Sequence, residues 1–292
     1  MSTPEIVRTQ HDLRGQVREW RGCDLSVAYV PTMGALHGGH LSLVKLAGQH
    51  AHKVVVSIFV NPAQFAPDED FEAYPRDEAA DMARLASTGC DLVYVPRPGS
   101  MYKAHHATRI KVGRVADGLE TDHRPTFFEG VALVVTKLLN RVMPDYVIFG
   151  EKDYQQLAAI RRLVEDLDMP VKVIGAPIAR DEHGLALSSR NVHLDEDGLV
   201  IARQLNGIMH TCAERIRMGH EVARATAQAK TGLLAAGFSG VDYIRVADPD
   251  TLEPVLHGHV QGQPLRLLVA ARCKGVRLLD NCAVRGLADA QG

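Results

Sequence analysis

Apolar runs alternate with helical patterns along the first two thirds of the chain. Five runs are rich in valine and isoleucine and nearly continuous, as is typical of strands buried on both faces of a sheet. They span Ser26–Val30, Val54–Val60, Asp91–Val95, Tyr146–Phe149 and Val171–Ile174. Four helical patterns lie between them, at Leu41–Gln49, Glu78–Ser87, Val131–Arg141 and Tyr154–Asp168. This alternation predicts an α/β fold, with a parallel sheet covered by helices on both faces.

The pattern changes in the last third of the chain. Two long helical patterns, Asp195–Met218 and Glu221–Ala236, are followed by three short strand patterns. The strand patterns span Val241–Val246, Leu265–Ala270 and Val276–Leu279. Together they predict a smaller α+β domain. Because proline, glycine and charged residues cluster in Pro177–Gly184, we place the boundary there and predict domains at residues 1–178 and 179–292.

Composition and charge favour a protein that acts on small molecules. Hydrophobic residues make up 46% of the chain and charged residues 23%, which is ordinary for a globular protein. The formal net charge is −2, so the sequence does not indicate the basic surface that nucleic-acid binding usually needs. Aromatic residues, on which single-stranded nucleic acid stacks, make up only 5% of the chain. We therefore expect no nucleic-acid partner.

The cysteines and the N-terminal residues favour a reducing, cytoplasmic location. The five cysteines are an odd number without a CxxC pair, so neither a disulfide framework nor a zinc ribbon is predicted. Each is expected to be a small buried hydrophobic residue. Residues 1–10 lack the apolar core of a signal peptide. No run of about 18 apolar residues predicts a membrane span.

The strongest candidate for chemistry is the segment Pro31–His40, with the sequence PTMGALHGGH. It follows a predicted strand and precedes a predicted helix, which is where open α/β sheets bind their ligands. Its glycines allow the backbone to approach a bulky anion, and the N–H groups and dipole of a helix start favour phosphate. His37 and His40 are three residues apart, so both can face one side of the first helical turn. The segment therefore predicts a phosphate-binding turn.

Two other interpretations of the histidine pair stay open. The rings can serve only as helix caps, because an isolated His-x-x-His pair is more often structural than functional. They can also ligate zinc, although no further ligand cluster is evident in the sequence. The glycine-rich turn between a strand and a helix favours the phosphate interpretation.

Two more polar segments carry groups that suit a nucleotide. Gly150–Gln156 follows the fourth predicted strand, and within it Lys152 offers a mobile positive charge for phosphate and Asp153 an acceptor for a ribose hydroxyl. Leu187–Asn191 combines two serines with an arginine, which suits a mobile clamp on polyphosphate. A solvated loop with an aspartate helix cap is the alternative for the first segment, and a polar turn for the second.

Amide, aromatic and arginine side chains in further segments suit an organic substrate. Asn61–Phe65 follows the second predicted strand, and an amide at the carboxyl end of a strand can recognise a carboxylate or a neutral group. Tyr74 follows in the same loop region, and Arg124 precedes the helix that includes Val131. Arg124 can bind a substrate carboxylate. An ordinary Asn-Pro turn is the alternative for Asn61.

Taken in order, these segments resemble the pantothenate synthetase (pantoate–beta-alanine ligase) family. The matching stretches are PTMGALHGGH, SIFVNPAQF, YPRD, GEKDYQQLAAIRRLV, LSSRN and LLVAARCKGVRLLDN. They extend over roughly residues 25 to 285, which is most of the chain. The resemblance implies a Rossmann-like, nucleotidyltransferase-like fold with paired HxGH-type histidines, followed by a smaller C-terminal α+β domain that acts as a lid.

The resemblance also implies a two-step reaction. Pantoate attacks the α-phosphate of ATP to give pantoyl adenylate and pyrophosphate, and the amine of beta-alanine then attacks the acyl carbon to give pantothenate and AMP. ATP is a substrate and Mg²⁺ assists. The enzyme is expected to be a homodimer that acts on small molecules, with neither nucleic acid nor a membrane as a partner.

The site residues of the family can be assigned to the matching positions of this sequence. The residues implied in catalysis are His37, His40, Lys152, Ser188, Ser189 and Arg190. Those implied in ATP binding are Pro31, Met33, Gly34, His37, Gly39, His40, Gly150, Lys152, Asp153, Ile178, Leu187, Ser188 and Arg190. Pantoate is expected at Met33, Gln64 and Gln156, and beta-alanine at Asn61, Tyr74 and Arg124. The expected Mg²⁺ contact is Asp81.

The chain departs from the family pattern at three positions. Gly38 stands between the histidines where the family usually has an acidic residue, and Thr121 stands where it usually has glycine. Phe127 stands where the family usually has histidine. Because this last change removes a polar group near the expected substrate pocket, we form the hypothesis of a shifted preference for the acid or the amine.

Two other functions remain compatible with the motifs. A nucleotidyltransferase that acts on a phosphorylated acceptor would share the histidine motif and release pyrophosphate, but it would not need the segment Asn61–Phe65. A catalytically silent nucleotide-binding or scaffold protein is the alternative from a different class. Release of AMP distinguishes the ligase from the first alternative, and turnover of ATP distinguishes it from the second.

Overall fold

The computed structural model of the chain describes residues 3–65, 71–72, 74–256, 258 and 263–284. The chain divides into two compact units. The first comprises Met1–Glu151 together with Ala159–Pro177, and the second comprises Lys152–Ala158 together with Ile178–Gly292. The short stretch that begins at Lys152 therefore belongs to the second unit.

In the first unit, the described residues form a parallel sheet of six strands. In chain order these are β1 (Glu5–Val7), β2 (Val27–Thr32), β3 (Lys53–Ile58), β4 (Leu92–Tyr94), β5 (Tyr146–Gly150) and β6 (Lys172–Ala176). Across the sheet the order is β1-β4-β3-β2-β5-β6, so the chain moves outwards from β2 to β4 and then returns to the other side of β2 with β5. In a doubly wound sheet this reversal creates a ligand crevice at the carboxyl ends of the two strands that flank it, which here are β2 and β5. The predicted parallel sheet is confirmed.

Helices cover both faces of this sheet. The helices in this part of the chain are α1 (Gln10–Gly22), α2 (Gly38–His50), α3 (Glu78–Leu85), α4 (Pro98–Met101), α5 (Glu120–His123), α6 (Phe127–Val142) and α7 (Tyr154–Asp166). On one face Ala28 and Val30 of β2 share a buried core with α2 and α3. Because successive side chains of a strand point to opposite faces, Tyr94, the neighbour of the core residue Val93, points away from that core. There its hydroxyl accepts a hydrogen bond from Arg141 of α6 at 2.6 Å.

The second unit joins helices to an antiparallel sheet. Its described elements include helices α8 (Glu196–Ala202), α9 (Gln204–Arg217) and α10 (Val222–Ala235), and strands β7 (Gly240–Ala247), β8 (Leu265–Cys273) and β9 (Val276–Val284). The strand order is β7-β8-β9. Leu205, Met209 and Leu267 belong to the core that the helices and the sheet share. The predicted α+β character is confirmed. Within the described residues, no helix combines the length and apolar character needed to cross a bilayer.

The prediction of one helix over Asp195–Met218 is wrong, because the chain forms α8 and α9 with Arg203 between them. Arg203 keeps dihedral angles close to helical values, with φ −63° and ψ −20°. Its side chain donates to Asp181 Oδ2 at 3.0 Å. The break between α8 and α9 has neither a proline nor an unusual backbone angle. The helical pattern of the sequence therefore runs through it without a sign of the break.

Four of the five cysteines are buried, and Cys23 is exposed. Burial raises the pKa of Cys90 and of Cys282 to about 12, and that of Cys212 to about 11. These thiols are therefore held in the protonated, unreactive form at neutral pH. The prediction of a buried thiol is wrong for Cys23, which lies at the C-terminal end of α1.

Candidate active site

The chain between β2 and α2 forms a tight turn at the carboxyl end of β2. Thr32 donates its hydroxyl to Ser57 O at 2.7 Å and accepts from Gly34 N at 3.2 Å. Gly34 and Ala35 follow with positive φ angles of +83° and +49°. A Cβ atom at Gly34 would approach Asp81 Oδ2 to 2.9 Å, so a residue without a side chain is needed there. The turn therefore has a fixed shape and leads directly into the N-terminus of α2.

His37 and His40 cap α2 by reciprocal hydrogen bonds. His37 Nδ1 accepts from Gly39 N at 3.1 Å, and His40 Nδ1 accepts from His37 N at 3.3 Å. Because each Nδ1 acts as an acceptor, a neutral ring carries its proton on Nε2, which is then a donor. The ring centroids are only 4.1 Å apart. Two neighbouring rings at a helix N-terminus thus carry Nε2–H donors suited to phosphate oxygens. Capping the helix and binding phosphate are compatible roles.

Asp81, the predicted magnesium contact, lies beneath this turn. It belongs to the first turn of α3 and is 2% exposed. Its Oδ2 accepts from Ala35 N at 3.0 Å, and its Oδ1 accepts from Leu36 N at 2.8 Å. Arg84 Nη1 is 3.7 Å from Oδ1. Both carboxylate oxygens are therefore hydrogen-bonded to the backbone of the turn.

A second set of predicted residues surrounds Gln64. Gln64 Nε2 lies 3.0 Å from Met33 Sδ, and Gln64 Oε1 accepts from Asn61 Nδ2 at 3.0 Å. Asn61 is 1% exposed; its Nδ2 also donates to Gly130 O at 3.2 Å, and its Oδ1 accepts from the Tyr102 hydroxyl at 2.7 Å. A side chain at Gly130 would collide with the backbone of the Asn61 loop. The structure therefore brings together Met33, Gln64 and Asn61. The hydrogen bond from Asn61 to Gln64 Oε1 fixes the orientation of the Gln64 amide.

Arg124 holds the backbone of the same loop. Its Nη2 donates to Gln64 O at 3.1 Å, and its guanidinium carbon lies 3.8 Å from the ring centroid of Phe127. Tyr74 packs edge-on against Phe65, with ring centroids 5.9 Å apart. The three residues predicted for beta-alanine thus all lie around the segment from Asn61 to Phe65 or in direct contact with it.

In the second unit, the candidate catalytic lysine is held through its backbone. Lys152 O accepts from Asn281 Nδ2 at 2.9 Å, and Asn281 Oδ1 accepts from Arg266 Nε at 2.7 Å. The guanidinium of Arg266 lies 4.1 Å from the ring centroid of Tyr154. Lys152 Nζ is 3.8 Å from Asp153 Oδ1. Because Asn281 is 2% exposed, a buried amide fixes the turn that carries Lys152.

The serine–arginine segment lies against the same strand of the second unit. Ser188 caps the 3-10 turn Ser189–His193 by accepting from Arg190 N at 3.3 Å. This turn packs against β9, the strand that carries Asn281. Therefore β9 supports both Lys152 and the serine–arginine segment.

The remaining predicted contacts lie at or near the ends of elements. Pro31 is the second-last residue of β2, Gly39 is in the first turn of α2 and Gly150 is the last residue of β5. Gln156 is half-buried in the first turn of α7, and Ile178 and Leu187 are half-buried between β6 and the 3-10 turn.

Sequence reasoning missed residues that act through other residues. Thr32 and Asn281 lie within the matched stretches PTMGALHGGH and LLVAARCKGVRLLDN, but nothing in their identity indicated their hydrogen-bond partners. Tyr102, which supports Asn61, lies outside every matched stretch. Only the folded chain brings these residues to their partners.

The fold and the histidine turn define a class of protein. A doubly wound parallel sheet, with a glycine-rich turn and two histidines at the helix N-terminus beside the switch point, is an arrangement that binds nucleotides. The chain is therefore a nucleotide-binding α/β protein.

Sequence comparison gives the family. Residues 5–283 match the family model of pantoate-beta-alanine ligase, so the chain belongs to the pantoate-beta-alanine ligase family. The chain is 51% identical over 284 residues to the pantothenate synthetase of Mesorhizobium japonicum, covering 97% of this chain and 99% of the relative. It is 48% identical to the pantothenate synthetase of Caulobacter vibrioides, covering 97% of this chain and 100% of the relative. The family resemblance of the sequence is confirmed.

Solved structures agree with this assignment. The crystal structure of pantothenate synthetase from Thermus thermophilus is similar with a TM-score of 0.88 and 42% identity, over 96% of this chain and 99% of that one. The pantoate-beta-alanine ligase from Francisella tularensis, complexed with beta-gamma ATP and beta-alanine, has a TM-score of 0.80 and 30% identity, over 96% and 98% of the two chains. The α/β fold with a smaller α+β domain is thus the fold of the family.

Proposed function

We propose that the chain is an ATP-dependent ligase that condenses pantoate with beta-alanine to give pantothenate, AMP and pyrophosphate. The observation that carries this proposal is the contact between Met33 Sδ and Gln64 Nε2, at 3.0 Å. Met33 belongs to the turn that carries the two histidines, which suits phosphate, and the Gln64 amide suits an organic acid. The contact therefore places the two kinds of group side by side. Adenylation of a carboxylate needs this neighbourhood, because the reacting groups must be held at contact distance.

The reaction has two steps. A carboxylate oxygen of pantoate attacks the α-phosphorus of ATP, and the bond to the bridging oxygen breaks with loss of pyrophosphate. The amine nitrogen of beta-alanine then attacks the acyl carbon, AMP leaves and the amine loses a proton. Such transfers depend on positioning and on stabilising charge at the phosphate more than on covalent catalysis by the protein.

In the first unit, His37 and His40 are proposed to bind the ATP phosphates through their Nε2–H groups. The further ATP contacts proposed here are Pro31, Met33, Gly34, Gly39 and Gly150. Pantoate is assigned to Met33 and Gln64, and beta-alanine to Asn61, Tyr74 and Arg124. Asn61 and Arg124 support this assignment in a second way, because both hold Gln64 by hydrogen bonds.

In the second unit, cationic and hydroxyl groups are proposed to stabilise charge on the phosphates. These groups belong to Lys152, Ser188, Ser189 and Arg190. Asp153 is assigned to the ribose, Ile178 and Leu187 to the nucleotide, and Gln156 to pantoate. The support for Lys152 is its fixed backbone, since its carbonyl is held by the buried Asn281.

Magnesium enters this proposal as the counter-ion of ATP. In ATP-dependent enzymes Mg²⁺ is usually held by one or two carboxylates together with the phosphates. Among the described residues no cluster of three or more histidine, cysteine, aspartate or glutamate side chains is placed to hold a metal ion. Both oxygens of Asp81 already accept backbone hydrogen bonds. The carboxylate is also 2% exposed and has the Arg84 guanidinium 3.7 Å away, which disfavours a hydrated Mg²⁺ there, so we assign the phosphates as the main ligands.

We also propose that the chain works as a homodimer in the cytoplasm on small molecules, with neither nucleic acid nor a membrane as a partner. The net charge of −2 supports the choice of small molecules over nucleic acid. Light scattering after gel filtration tests the dimer, since a dimer has twice the chain mass of 31.9 kDa. A peak at the mass of one chain would rule it out.

Exchange of labelled pyrophosphate into ATP tests adenylation separately from the amine step. We expect label in ATP when pantoate is present, with no requirement for beta-alanine. A nucleotidyltransferase would show no dependence on pantoate, and a silent nucleotide-binding protein would show no exchange at all. Absence of pantoate-dependent exchange would therefore refute the proposed function.

A further inference from the structure

The turn before His37 has an unfavourable backbone conformation. Gly34 and Ala35 are consecutive residues with φ angles of +83° and +49°. For Ala35 this left-handed conformation is unfavourable, because its Cβ crowds the following carbonyl oxygen. The hydrogen bond from Gly34 N to Thr32 stabilises the start of the turn, but the left-handed Ala35 needs further contacts from elsewhere in the fold.

Those contacts come from Asp81. The N–H groups of Ala35 and Leu36 are adjacent and point to the same carboxylate, at 3.0 Å and 2.8 Å. Successive N–H groups that converge in this way form a concavity that binds anions. Here the anion is a side chain of the protein, which is 2% exposed. The concavity next to the phosphate-binding histidines is thus filled by Asp81.

The carboxylate is itself held at a fixed position. Asp77 caps α3 by accepting from Ala80 N at 2.9 Å. Glu78 in the same helix accepts two hydrogen bonds from Arg8, at 3.0 Å and 2.6 Å, which attach α3 next to the end of β1. Met82, the residue after Asp81, is buried in the core of the sheet. The helix therefore presents Asp81 to the turn as a rigid group.

The position of Asp81 has a consequence for both histidines. Leu36 N is bonded to Asp81, and the next residue, His37, is the N-cap of α2. His37 N in turn donates to His40 Nδ1. A change in the turn therefore moves His37 and removes the partner that orients the ring of His40.

We propose that Asp81 is a positioning residue for nucleotide binding, which fixes His37 and His40 through the backbone of residues 34–36, and that it is not a magnesium ligand. The inference rests on the proposed role of the two histidines in ATP binding. It also explains why Gly34 has no side chain, since a Cβ there would approach Asp81 Oδ2 to 2.9 Å.

The test compares Asp81→Asn with Asp12→Asn. In Asp81→Asn one acceptor oxygen remains, but the new NH₂ group faces a backbone N–H, so one buried donor loses its partner. Asp12→Asn makes the same chemical change at an exposed residue in the first turn of α1. We expect Asp81→Asn to bind ATP about 10- to 100-fold more weakly by calorimetry and to raise KM for ATP by a similar factor. We expect KM for beta-alanine to stay unchanged, and Asp12→Asn to match the wild-type chain in both KM values.

A magnesium titration at saturating ATP separates positioning from ligation. We expect the Mg²⁺ concentration at half-maximal rate to be the same in Asp81→Asn and in the wild-type chain. Recovery of Asp81→Asn at high Mg²⁺ would overturn the inference in favour of a metal ligand. Wild-type affinity for ATP in Asp81→Asn would overturn it outright.

A second variant keeps the inference testable if Asp81→Asn does not fold. Asp81→Glu keeps a carboxylate, but its extra methylene group prevents both hydrogen bonds to Ala35 N and Leu36 N unless the turn moves, and we expect the same weakening of ATP binding. Unchanged ATP affinity in Asp81→Glu would contradict the inference. Calorimetry needs no turnover, so it tests Asp81 even if the wild-type chain shows no pantoate-dependent exchange, which would refute only the proposed reaction.

Discussion

At the scale of single residues, the two histidines combine an observed structural role with the phosphate-binding role proposed for them. Each ring uses Nδ1 to accept a backbone N–H at the start of α2. The same hydrogen bond fixes the ring and leaves the proton of a neutral imidazole on Nε2. Helix capping therefore leaves each ring with the Nε2–H donor that the proposed phosphate contact requires.

Replacing His40 by alanine tests this dual role. We expect kcat for adenylation to fall by about 10²–10³, because one donor to developing phosphate charge, typically about 2.7–4 kcal/mol, is lost. The free energy of unfolding should fall by only about 1 kcal/mol, which is typical of a lost helix cap. Pyrophosphate exchange and thermal unfolding measure the two effects. His50→Ala, an exposed change in the last turn of α2, is the matched control, and a normal kcat in His40→Ala would refute its role.

Phe127 is the residue on which the hypothesis of altered specificity depends. Its ring supports the guanidinium of Arg124 at 3.8 Å, and Arg124 holds the backbone of Gln64. We expect Phe127→His to change kcat/KM for pantoate or beta-alanine relative to their analogues, because it restores the polar group usual in the family. Ordinary kcat/KM values for both substrates in the wild-type chain, with poor use of analogues, would end the hypothesis.

At the scale of elements, β9 is the platform of the second unit. It carries Asn281, which holds the carbonyl of Lys152, and it packs against the turn Ser189–His193. Within the second unit, the segments whose side chains are proposed to act on phosphate are therefore both tied to β9.

Two variants test this platform. We expect Lys152→Ala to lower kcat by about 10²–10³, since it removes the positive charge proposed to stabilise the phosphate.

Asn281→Ala tests the support for Lys152 without changing the charge. We expect kcat to fall by about tenfold, because the carbonyl of Lys152 and the guanidinium of Arg266 each lose a buried hydrogen-bond partner. The same loss should lower the free energy of unfolding by about 1–3 kcal/mol. Steady-state kinetics on folded protein measure kcat in both variants. If Asn281→Ala lost stability alone, with wild-type kcat, β9 would have no positioning role.

Asp242 ties the three strands of the C-terminal sheet together. It lies in β7 and accepts from Arg272 of β8 at 3.0 Å and from Arg277 of β9 at 2.6 Å. Burial of the carboxyl opposes its ionisation, but the hydrogen bonds from Arg277 and Arg272 outweigh burial and lower the pKa of Asp242. The folded state therefore favours the charged carboxylate.

This shift predicts a pH-dependent contribution to stability. Because the folded pKa lies below the unfolded value of about 3.9, the stabilisation is present above that pH and is lost as pH falls through the folded pKa. We expect Asp242→Asn to reduce the free energy of unfolding by about 1–3 kcal/mol at pH 7. The difference from the wild-type chain should shrink steadily below about pH 4. Urea unfolding at pH 7, 5 and 3 measures this difference, and an undiminished difference at pH 3 would contradict the assignment.

Asp242→Asn is also a control for Asn281→Ala, because it disturbs the C-terminal sheet without touching Lys152.

The elements that the sequence predicts well are those with long, regular patterns. The apolar runs of β2, β3 and β5 predict these strands, because short, nearly continuous runs rich in valine and isoleucine are typical of buried strands. Strand β1 was missed because three residues, Glu5–Val7, are too short to show a period. Helix α2 begins at Gly38, three residues before the predicted start, since the glycines of the turn hide the beginning of the helical pattern.

At the scale of the whole molecule, the sequence predicts the class of fold but not the order of its strands. Alternation of strands and helices implies a parallel sheet, whereas the position of β5 beside β2 depends on tertiary packing. The switch point between these two strands is what gives the turn Pro31–His40 its place at a ligand crevice.

The residues that hold the candidate site were harder to predict than those proposed to carry the chemistry. Asp81 and Leu36 are 45 positions apart, Arg124 and Gln64 are 60 apart, and Asn281 and Lys152 are 129 apart. Each pair joins a side chain to a backbone group, and every residue supplies such a group whatever its identity. The sequence therefore offers no pattern by which these pairs can be found.

The central claim is that one chain adenylates pantoate and then transfers the pantoyl group to beta-alanine. The most direct measurement is a product assay with ATP, Mg²⁺ and pantoate, with and without beta-alanine. We predict that AMP and pantothenate appear together only when both pantoate and beta-alanine are present. Pyrophosphate without pantothenate, or no turnover of ATP in the complete mixture, would contradict the claim.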